Sequence, residues 1–85
     1  MFEIVIESRA DKALRSFDAP LRASIAEEIY ALSTRFMDGK RLTGVLKGCR
    51  SWRSGDYRIV YDVDFKKSRI RILRIGHRSE VYRKR

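Results

Sequence analysis

The sequence predicts an α+β domain in which a small, mostly antiparallel, twisted sheet carries a helical hairpin packed on one face. The first residues alternate apolar and polar side chains, the next thirty repeat apolar residues at helical spacing, and the period changes to two from Leu42 onward. With 85 residues, the chain is long enough for one domain and too short for two. We therefore expect residues 1–85 to form a single domain with the element order β-α-α-β-β-β.

The N-terminal segment predicts one strand and one short helix. Residues 2–7 place apolar side chains at every second position, which is the period of a half-buried strand. The segment that follows repeats apolar side chains at positions i, i+3, i+4 and i+7, namely Ala10, Ala13, Leu14 and Phe17. This stripe is typical of an amphipathic helix.

A second helix is predicted directly after the first. Asp18 or Ala19 can cap this helix, and Pro20 suits its first turn, where a backbone amide would have no hydrogen-bond partner. Apolar residues then recur at spacings of three and four, namely Leu21, Ile25, Ile29, Leu32 and Phe36. Asp38 and Gly39 supply the stop, with Gly39 expected in a left-handed cap. The two helices are close enough in sequence to form an αα-hairpin.

The C-terminal half predicts strands. Residues 50–53 are a short candidate strand, residues 57–63 alternate clearly, residues 64–68 are a polar turn, and residues 69–75 form a β-branched strand that Gly76 is expected to end. The first strand is expected to pair with the last. If the tyrosines of residues 57–63 pack under the helices, Arg58 points to the opposite face, which is partly open to solvent.

The charge of the chain is concentrated in its second half. Residues 1–38 hold five basic and seven acidic side chains, a net charge of −2, whereas residues 39–85 hold fifteen basic and four acidic side chains, a net charge of +11. Ten of those fifteen are arginines, whose planar fork matches phosphate in a bidentate way. A polyanion is the expected partner, with nucleic acid preferred over an acidic protein.

Several classes of protein are excluded by what the sequence lacks. No apolar run approaches the ~18 residues of a membrane span, and no signal-peptide core is present at the N-terminus. The single cysteine, Cys49, cannot form an internal disulfide, so we expect a cytoplasmic protein. There is no zinc motif, phosphate-binding loop or dinucleotide fingerprint, so no metal, small-molecule cofactor or membrane partner is expected.

Two short blocks in the second half carry a family resemblance. Residues 54–61 read SGDYRIVY and residues 75–83 read IGHRSEVYR, with LKG at residues 46–48 before the first block. In this order, in a basic chain that opens with a strand and a helical hairpin, the blocks resemble the RelE/ParE superfamily of bacterial toxins. The ending resembles the RelE branch more than the ParE branch.

The resemblance implies the toxin half of a type II toxin–antitoxin pair. A RelE-like member would be a ribosome-dependent mRNA endoribonuclease that cuts in the A site by metal-free attack of a 2′-hydroxyl on the phosphate. Its partners would be the ribosome, mRNA and an acidic, RelB-like antitoxin laid as a helix across the basic sheet face. The alternatives are a ParE-like toxin that inhibits DNA gyrase without cleaving RNA, or a catalytically impaired member that binds RNA or the ribosome.

The resemblance also implies roles for individual residues. Arg58 would bind the scissile phosphate, Arg78 would stabilise the developing charge or help protonate the leaving oxygen, and Tyr82 would orient the nucleotide. His77 is a candidate acid or base because histidine ordinarily titrates near neutrality. Further basic side chains expected to contact nucleic acid are Lys47, Arg50, Arg53, Arg74 and Arg83.

Each of the principal residues also has a possible structural role. Arg58 could pair with Asp62, Arg78 could lie in solvent beside Glu80, and Tyr82 could close the edge of the sheet. His77 could cap the end of a strand.

The general base is left open by the sequence. Residues 49–53 read CRSWR, and arginine is a poor base because it hardly deprotonates. Lys47 is held in reserve for this role. Trp52 is interpreted as a packing residue rather than a platform for a stacked base.

Overall fold

The computed structural model describes residues 2–83 as two helices on one face of a five-stranded sheet. The strands are β1 (Glu3–Ile6), β2 (Lys40–Arg41), β3 (Arg50–Ser54), β4 (Tyr57–Asp64) and β5 (Arg69–His77), and the helices are α1 (Ser8–Ser16) and α2 (Ala19–Thr34). The sheet order is β1-β5-β4-β3-β2, with β1 parallel to β5 and every other neighbouring pair antiparallel. The predicted α+β class and the pairing of the first strand with the last are confirmed.

The two ends of α2 agree with the prediction to different degrees. The Asp18 carboxylate accepts a hydrogen bond from the Leu21 amide at 3.1 Å, and Pro20 lies in the first turn, as predicted. The helix ends at Thr34, earlier than the apolar spacing indicates. Phe36 instead lies in a short 3₁₀ turn, where its ring contacts the Phe2 ring at a centroid distance of 4.5 Å.

The prediction of a left-handed cap at Gly39 is wrong. Gly39 has an extended backbone with φ of −66°, which any residue can adopt. Its lack of a side chain matters for another reason, because a Cβ atom there would overlap the Tyr61 hydroxyl. Tyr61 is fully buried, its hydroxyl donates to the Phe36 carbonyl at 2.7 Å, and burial raises the pKa of that hydroxyl.

The core lies between the helices and one face of the sheet. Its helical side is Ala10, Ile25, Ile29 and Leu32, and its sheet side is Ile59, Tyr61, Ile70, Ile72 and Ile75. Because side chains alternate along a strand, the residues next to these in sequence point to the opposite face of the sheet. We call that opposite side of the sheet the open face.

Two details of the strands differ from the prediction. The prediction that Gly76 ends the last strand is wrong, because its backbone continues to pair with Arg58 and β5 runs on to His77. The two-residue edge strand β2 was not predicted, and it pairs with β3 beside Arg50 and Ser51. Residues 50–53, the weaker strand prediction, are in β3 as expected.

Candidate functional site

The open face carries two arginines directly opposite each other. The β3–β4 register pairs Arg53 with Arg58, so both side chains leave the sheet on the same side. Directly opposite residues on antiparallel strands have Cβ atoms about 4.5–5.5 Å apart, and like charges at that distance destabilise the sheet. Within residues 2–83, neither arginine lies within 4 Å of a carboxylate. This uncompensated pair is therefore a ready site for an anion.

Arg58 is not paired with Asp62. Its guanidinium donates to the carbonyls of Gly55 and Tyr57, at 2.8 and 2.9 Å, which fixes it beside the β3–β4 turn. Asp62 is instead held by Arg71, whose Nε donates to Oδ1 at 2.9 Å, and this hydrogen bond raises the pKa of Arg71. The remaining guanidinium donors of Arg58 have no protein acceptor among the described residues, so they are free for a ligand.

Arg78 lies at the same end of the sheet as Arg58. Its backbone amide donates to the Asp56 carbonyl at 2.8 Å, which ties the chain after β5 to the β3–β4 turn. Its side chain is exposed and approaches the Asp56 carboxylate only at 4.0 Å, while Glu80 forms no ion pair with it. An exposed ion pair at that distance contributes little, so the Arg78 guanidinium is accessible to a phosphate.

His77 is near this end but faces the other way. It pairs with Tyr57 across β4 and β5, and its ring meets the Tyr57 ring edge-on at 5.6 Å. Its Nδ1 accepts a hydrogen bond from the Ser79 amide at 3.1 Å and lies 2.8 Å from the Ser79 hydroxyl. With Nδ1 as acceptor, the neutral ring carries its proton on Nε2.

Tyr82 lies over β3 on the open face. Its hydroxyl is 2.6 Å from the Ser51 hydroxyl, and 39% of the residue is exposed. Arg74 donates to the carbonyls of Val81 and Arg83, at 3.1 and 2.7 Å, so it holds the backbone on either side of Tyr82. Burial, with a contribution from Arg9, lowers the pKa of Arg74. The guanidinium stays protonated at neutral pH because arginine titrates far above that range.

Lys47 and Arg50 lie at the opposite end of the sheet. Arg50 donates from Nη1 to the carbonyls of Met37 and Gly39, at 3.2 and 3.0 Å, so it braces the chain between α2 and β2. Both residues line a cavity of about 710 Å³ that also includes Arg41 and Phe65. The structure therefore gathers Arg53, Arg58, Arg74, Arg78, Tyr82 and Arg83 around the open face or its covering turn, and separates Lys47 and Arg50 from them.

Two further residues complete this description. Trp52 packs against the core and donates from Nε1 to Glu28 at 2.8 Å, which agrees with its interpretation as a packing residue. Ser51 was not predicted from the sequence. Its partner, Tyr82, is 31 positions away, and no spacing rule connects the two. The sequence carries no signal for it, because the edge strand β2 that pairs with β3 at Ser51 was not predicted.

Two other features are absent from the described part of the chain. Among residues 2–83, no helix has the length and apolar character needed to cross a membrane. In the same range, no cluster of three or more His, Cys, Asp or Glu side chains has a geometry suited to a metal ion.

Comparison with known proteins places this architecture among bacterial toxins. The chain is 32% identical over 84 residues to "Toxin RelE" of Mycobacterium tuberculosis, covering 96% of this chain and 87% of that protein. One toxin–antitoxin complex, RelBE2 from M. tuberculosis, contains a chain with a TM-score of 0.82 and 28% identity, covering 93% of each chain. The isolated RelE toxin of E. coli matches with a TM-score of 0.75 and 19% identity, over 99% of this chain and 88% of that one.

The two helices over an open, mixed five-stranded sheet are thus the RelE-like toxin fold. Residues 4–82 match the family described as "ParE toxin of type II toxin-antitoxin system, parDE". The chain belongs to this family and so to the RelE/ParE superfamily, as its two C-terminal blocks indicated.

Proposed function

We propose that this toxin is a ribosome-dependent endoribonuclease that cleaves mRNA in the A site, and that it acts in the cytoplasm. The observation that carries the proposal is the uncompensated pair Arg53–Arg58 on the open face, with exposed Arg78 at the same end of the sheet. Three guanidinium groups at one end of the sheet suit a phosphate that gains negative charge during the reaction.

The proposed reaction uses only groups that RNA and protein already possess. The 2′-hydroxyl loses its proton to a base and attacks the adjacent phosphorus, which forms a pentavalent phosphorane. The bond from phosphorus to the 5′-oxygen then breaks, and that oxygen accepts a proton. The products are a 2′,3′-cyclic phosphate and a 5′-hydroxyl, so atoms and charge balance without an added reactant.

The arginines divide the electrostatic part of this reaction between them. Arg58, fixed by two carbonyls, is assigned to the scissile phosphate because its orientation is set before the substrate arrives. Arg78, whose side chain is exposed, is assigned to the charge that develops on the phosphorane or the leaving oxygen. Tyr82 is assigned to the nucleotide beside the scissile bond, by stacking or hydrogen bonding.

Neither His77 nor Lys47 is assigned as the general base. His77 lies at the end of the sheet that holds Arg58 and Arg78, but its ring faces the helices and its acceptor nitrogen, Nδ1, already accepts from the Ser79 amide. Lys47 lies beyond the opposite end of β3, beside the 710 Å³ cavity. The same placement suggests that Lys47 contacts the RNA backbone away from the reacting phosphate.

A charge reversal tests that role for Lys47. The affinity for single-stranded RNA falls as salt rises, and we expect Lys47→Glu to make this fall less steep. The slope of log affinity against log salt should become less negative by about 0.7 for each phosphate that the variant no longer neutralises. The matched control is Lys12→Glu, an exposed lysine on α1 that changes the net charge equally. Fluorescence anisotropy at several salt concentrations measures both slopes. Equal slopes for the two variants would remove Lys47 from the RNA interface.

The proposed protein partner is an acidic, RelB-like antitoxin. The relatives solved as RelBE2 and RelBE are toxin–antitoxin complexes, and this chain shares their fold. An acidic helix across the open face would neutralise Arg53, Arg58 and Arg78 and would block access to RNA.

A second candidate function follows from the family match. The matching family is described as a ParE toxin over residues 4–82, which favours a non-nuclease toxin that inhibits DNA gyrase. β3, whose sequence is RSWRS, offers no lysine that could act as the general base beside Arg58, which agrees with that alternative or with a catalytically impaired, RNA-binding member.

One experiment separates these functions. Ribosomes programmed with a defined mRNA are incubated with the purified toxin, and new 5′ ends are mapped by primer extension. In parallel, DNA gyrase is assayed for supercoiling in the presence of the same toxin. The proposal expects new ends within the A-site codon and unchanged supercoiling. Intact mRNA with inhibited supercoiling would instead establish the gyrase-directed function.

A further inference from the structure

The chain after β5 folds back over the open face. We call residues 78–83 the C-terminal clasp. Within it, the amides of Glu80 and Val81 both donate to the His77 carbonyl at 2.9 Å, which turns the chain back toward the sheet. Val81 is 6% exposed and packs against Gly76. A Cβ atom on Gly76 would lie 3.6 Å from the Cβ atom of Val81. Apolar packing of Val81 therefore helps to attach the clasp to the sheet.

Ser51 makes a second contact with the clasp, a hydrogen bond. Ser51 is the single polar or charged residue of the range 2–83 that is buried, at 6% exposure. It lies in β3 opposite Val60, and its Oγ is 2.6 Å from the Tyr82 hydroxyl. A hydrogen bond between two hydroxyls is directional, so it fixes where the end of the Tyr82 ring lies.

Arg74 makes the complementary interaction from β5. Its register partner on β4 is also Val60, so Ser51 and Arg74 flank the same position of the open face. One guanidinium nitrogen bonds the Val81 and Arg83 carbonyls, which precede and follow Tyr82. Ser51 on β3 thus holds the hydroxyl of Tyr82, and Arg74 on β5 holds the backbone on either side of it.

We propose that Ser51 and Arg74 are positioning residues that fix Tyr82 over the open face so that it can orient the RNA nucleotide. This inference rests on the proposed function. It also gives Arg74 a role in the clasp beside the predicted contact with nucleic acid, because Nη1 of this half-buried residue bonds two backbone carbonyls there. Tyr82 keeps 39% of its surface exposed, which leaves its ring available to a base.

The first test follows the Tyr82 ring and the reaction in the same variants. The chain has four tyrosines, so the ¹⁹F signal of Tyr82 in 3-fluorotyrosine-labelled toxin is assigned by its loss in Tyr82→Phe. We expect Ser51→Ala to move that signal to the position of an exposed, mobile tyrosine. Single-turnover cleavage on programmed ribosomes should fall about tenfold or more, because a reacting group displaced by about 1 Å costs up to about 10²-fold.

Three comparisons make that result specific. Ser51→Thr keeps the hydroxyl and should restore both the ¹⁹F signal and the cleavage rate. Ser33→Ala is the matched control, since the Ser33 hydroxyl also makes a 2.6 Å hydrogen bond, to the Tyr30 carbonyl on α2. The double variant Ser51→Ala with Tyr82→Phe should cleave no more slowly than the slower single variant, because both changes remove the same hydrogen bond.

Arg74→Lys provides a second test that does not depend on Ser51. Lysine keeps the positive charge, so its electrostatic attraction to phosphate would largely remain. It lacks the planar guanidinium, so it would not bond the Val81 and Arg83 carbonyls in the way that Arg74 does. We expect a loss of cleavage comparable to that of Ser51→Ala, the same displacement of the ¹⁹F signal, and an unchanged salt dependence of RNA affinity.

The outcomes separate this inference from the proposed function. An unchanged ¹⁹F signal in Ser51→Ala, or a displaced signal with an unchanged cleavage rate, overturns the positioning role while the nuclease function stands. No cleavage by the unmodified toxin overturns the proposed function and, with it, the catalytic purpose of the positioning.

Discussion

Replacing Arg58 by alanine is expected to lower the single-turnover rate of mRNA cleavage by about 10²–10³, the usual cost of losing one oriented donor to a developing negative charge. Two backbone carbonyls orient the Arg58 guanidinium, so little of its stabilising effect is lost to reorganisation during the reaction. The measurement is the rate of appearance of new mRNA 5′ ends on programmed ribosomes.

The fold should tolerate this change. Arg58 is only half-buried, and its hydrogen bonds are to carbonyls at a turn. Its removal also ends the charge repulsion with Arg53, which lies directly opposite it on β3. The matched control is Arg15→Ala, an exposed arginine on α1 paired with Asp11, which should leave the rate unchanged. A rate for Arg58→Ala within a few-fold of the unmodified toxin, with native circular dichroism, would contradict the assignment of the phosphate site.

Replacing Gly39 by alanine is expected to lower the free energy of unfolding by about 3 kcal/mol, the upper part of the usual range for overpacking a core. The new Cβ would overlap the Tyr61 hydroxyl and lie 2.9 Å from the ring carbon that carries it. Tyr61 cannot move aside easily, because it is fully buried and its hydroxyl bonds the Phe36 carbonyl. Urea denaturation followed by circular dichroism measures the loss.

A double-mutant cycle identifies the cause of that loss. Tyr61→Phe alone should cost about 1–2 kcal/mol, because the Phe36 carbonyl loses its donor. Added to Gly39→Ala, it removes the oxygen that the new Cβ meets, so the double variant should be about 1 kcal/mol more stable than the sum of the single effects predicts. Strict additivity would mean that the Gly39 effect does not arise at Tyr61.

The fold was predictable wherever periodicity and short-range chemistry agree. The alternation of residues 57–63 predicted that Ile59 and Tyr61 face the helices and that Arg58 faces away, and the structure has this arrangement. Asp18 capped α2 as its residue type indicated. Gly39 and Gly76 were interpreted wrongly because the residue type alone does not tell whether a glycine is there for its backbone freedom or for its lack of a side chain. At Gly39 the space is what matters, and this depends on Tyr61, a residue distant in sequence.

The candidate site was predictable in its residue types and less so in its geometry. The motif blocks indicated Arg58, Arg78 and Tyr82, and the strand register set Arg53 beside Arg58. That Arg74 would be bound to carbonyls, and that Ser51 would bond Tyr82, depended on how the chain turns after His77. A turn that packs across a sheet is fixed by tertiary contacts, which charge and periodicity do not encode.

The most direct test of the account replaces a single 2′-hydroxyl in the mRNA. Once the cleavage position on programmed ribosomes is mapped, the nucleotide on its 5′ side is made 2′-deoxy and the toxin is assayed again. The account predicts that cleavage at that bond disappears, while the unmodified mRNA yields a 2′,3′-cyclic phosphate and a 5′-hydroxyl. Continued cleavage of the 2′-deoxy mRNA at the same bond, or no cleavage of the unmodified mRNA, would contradict it.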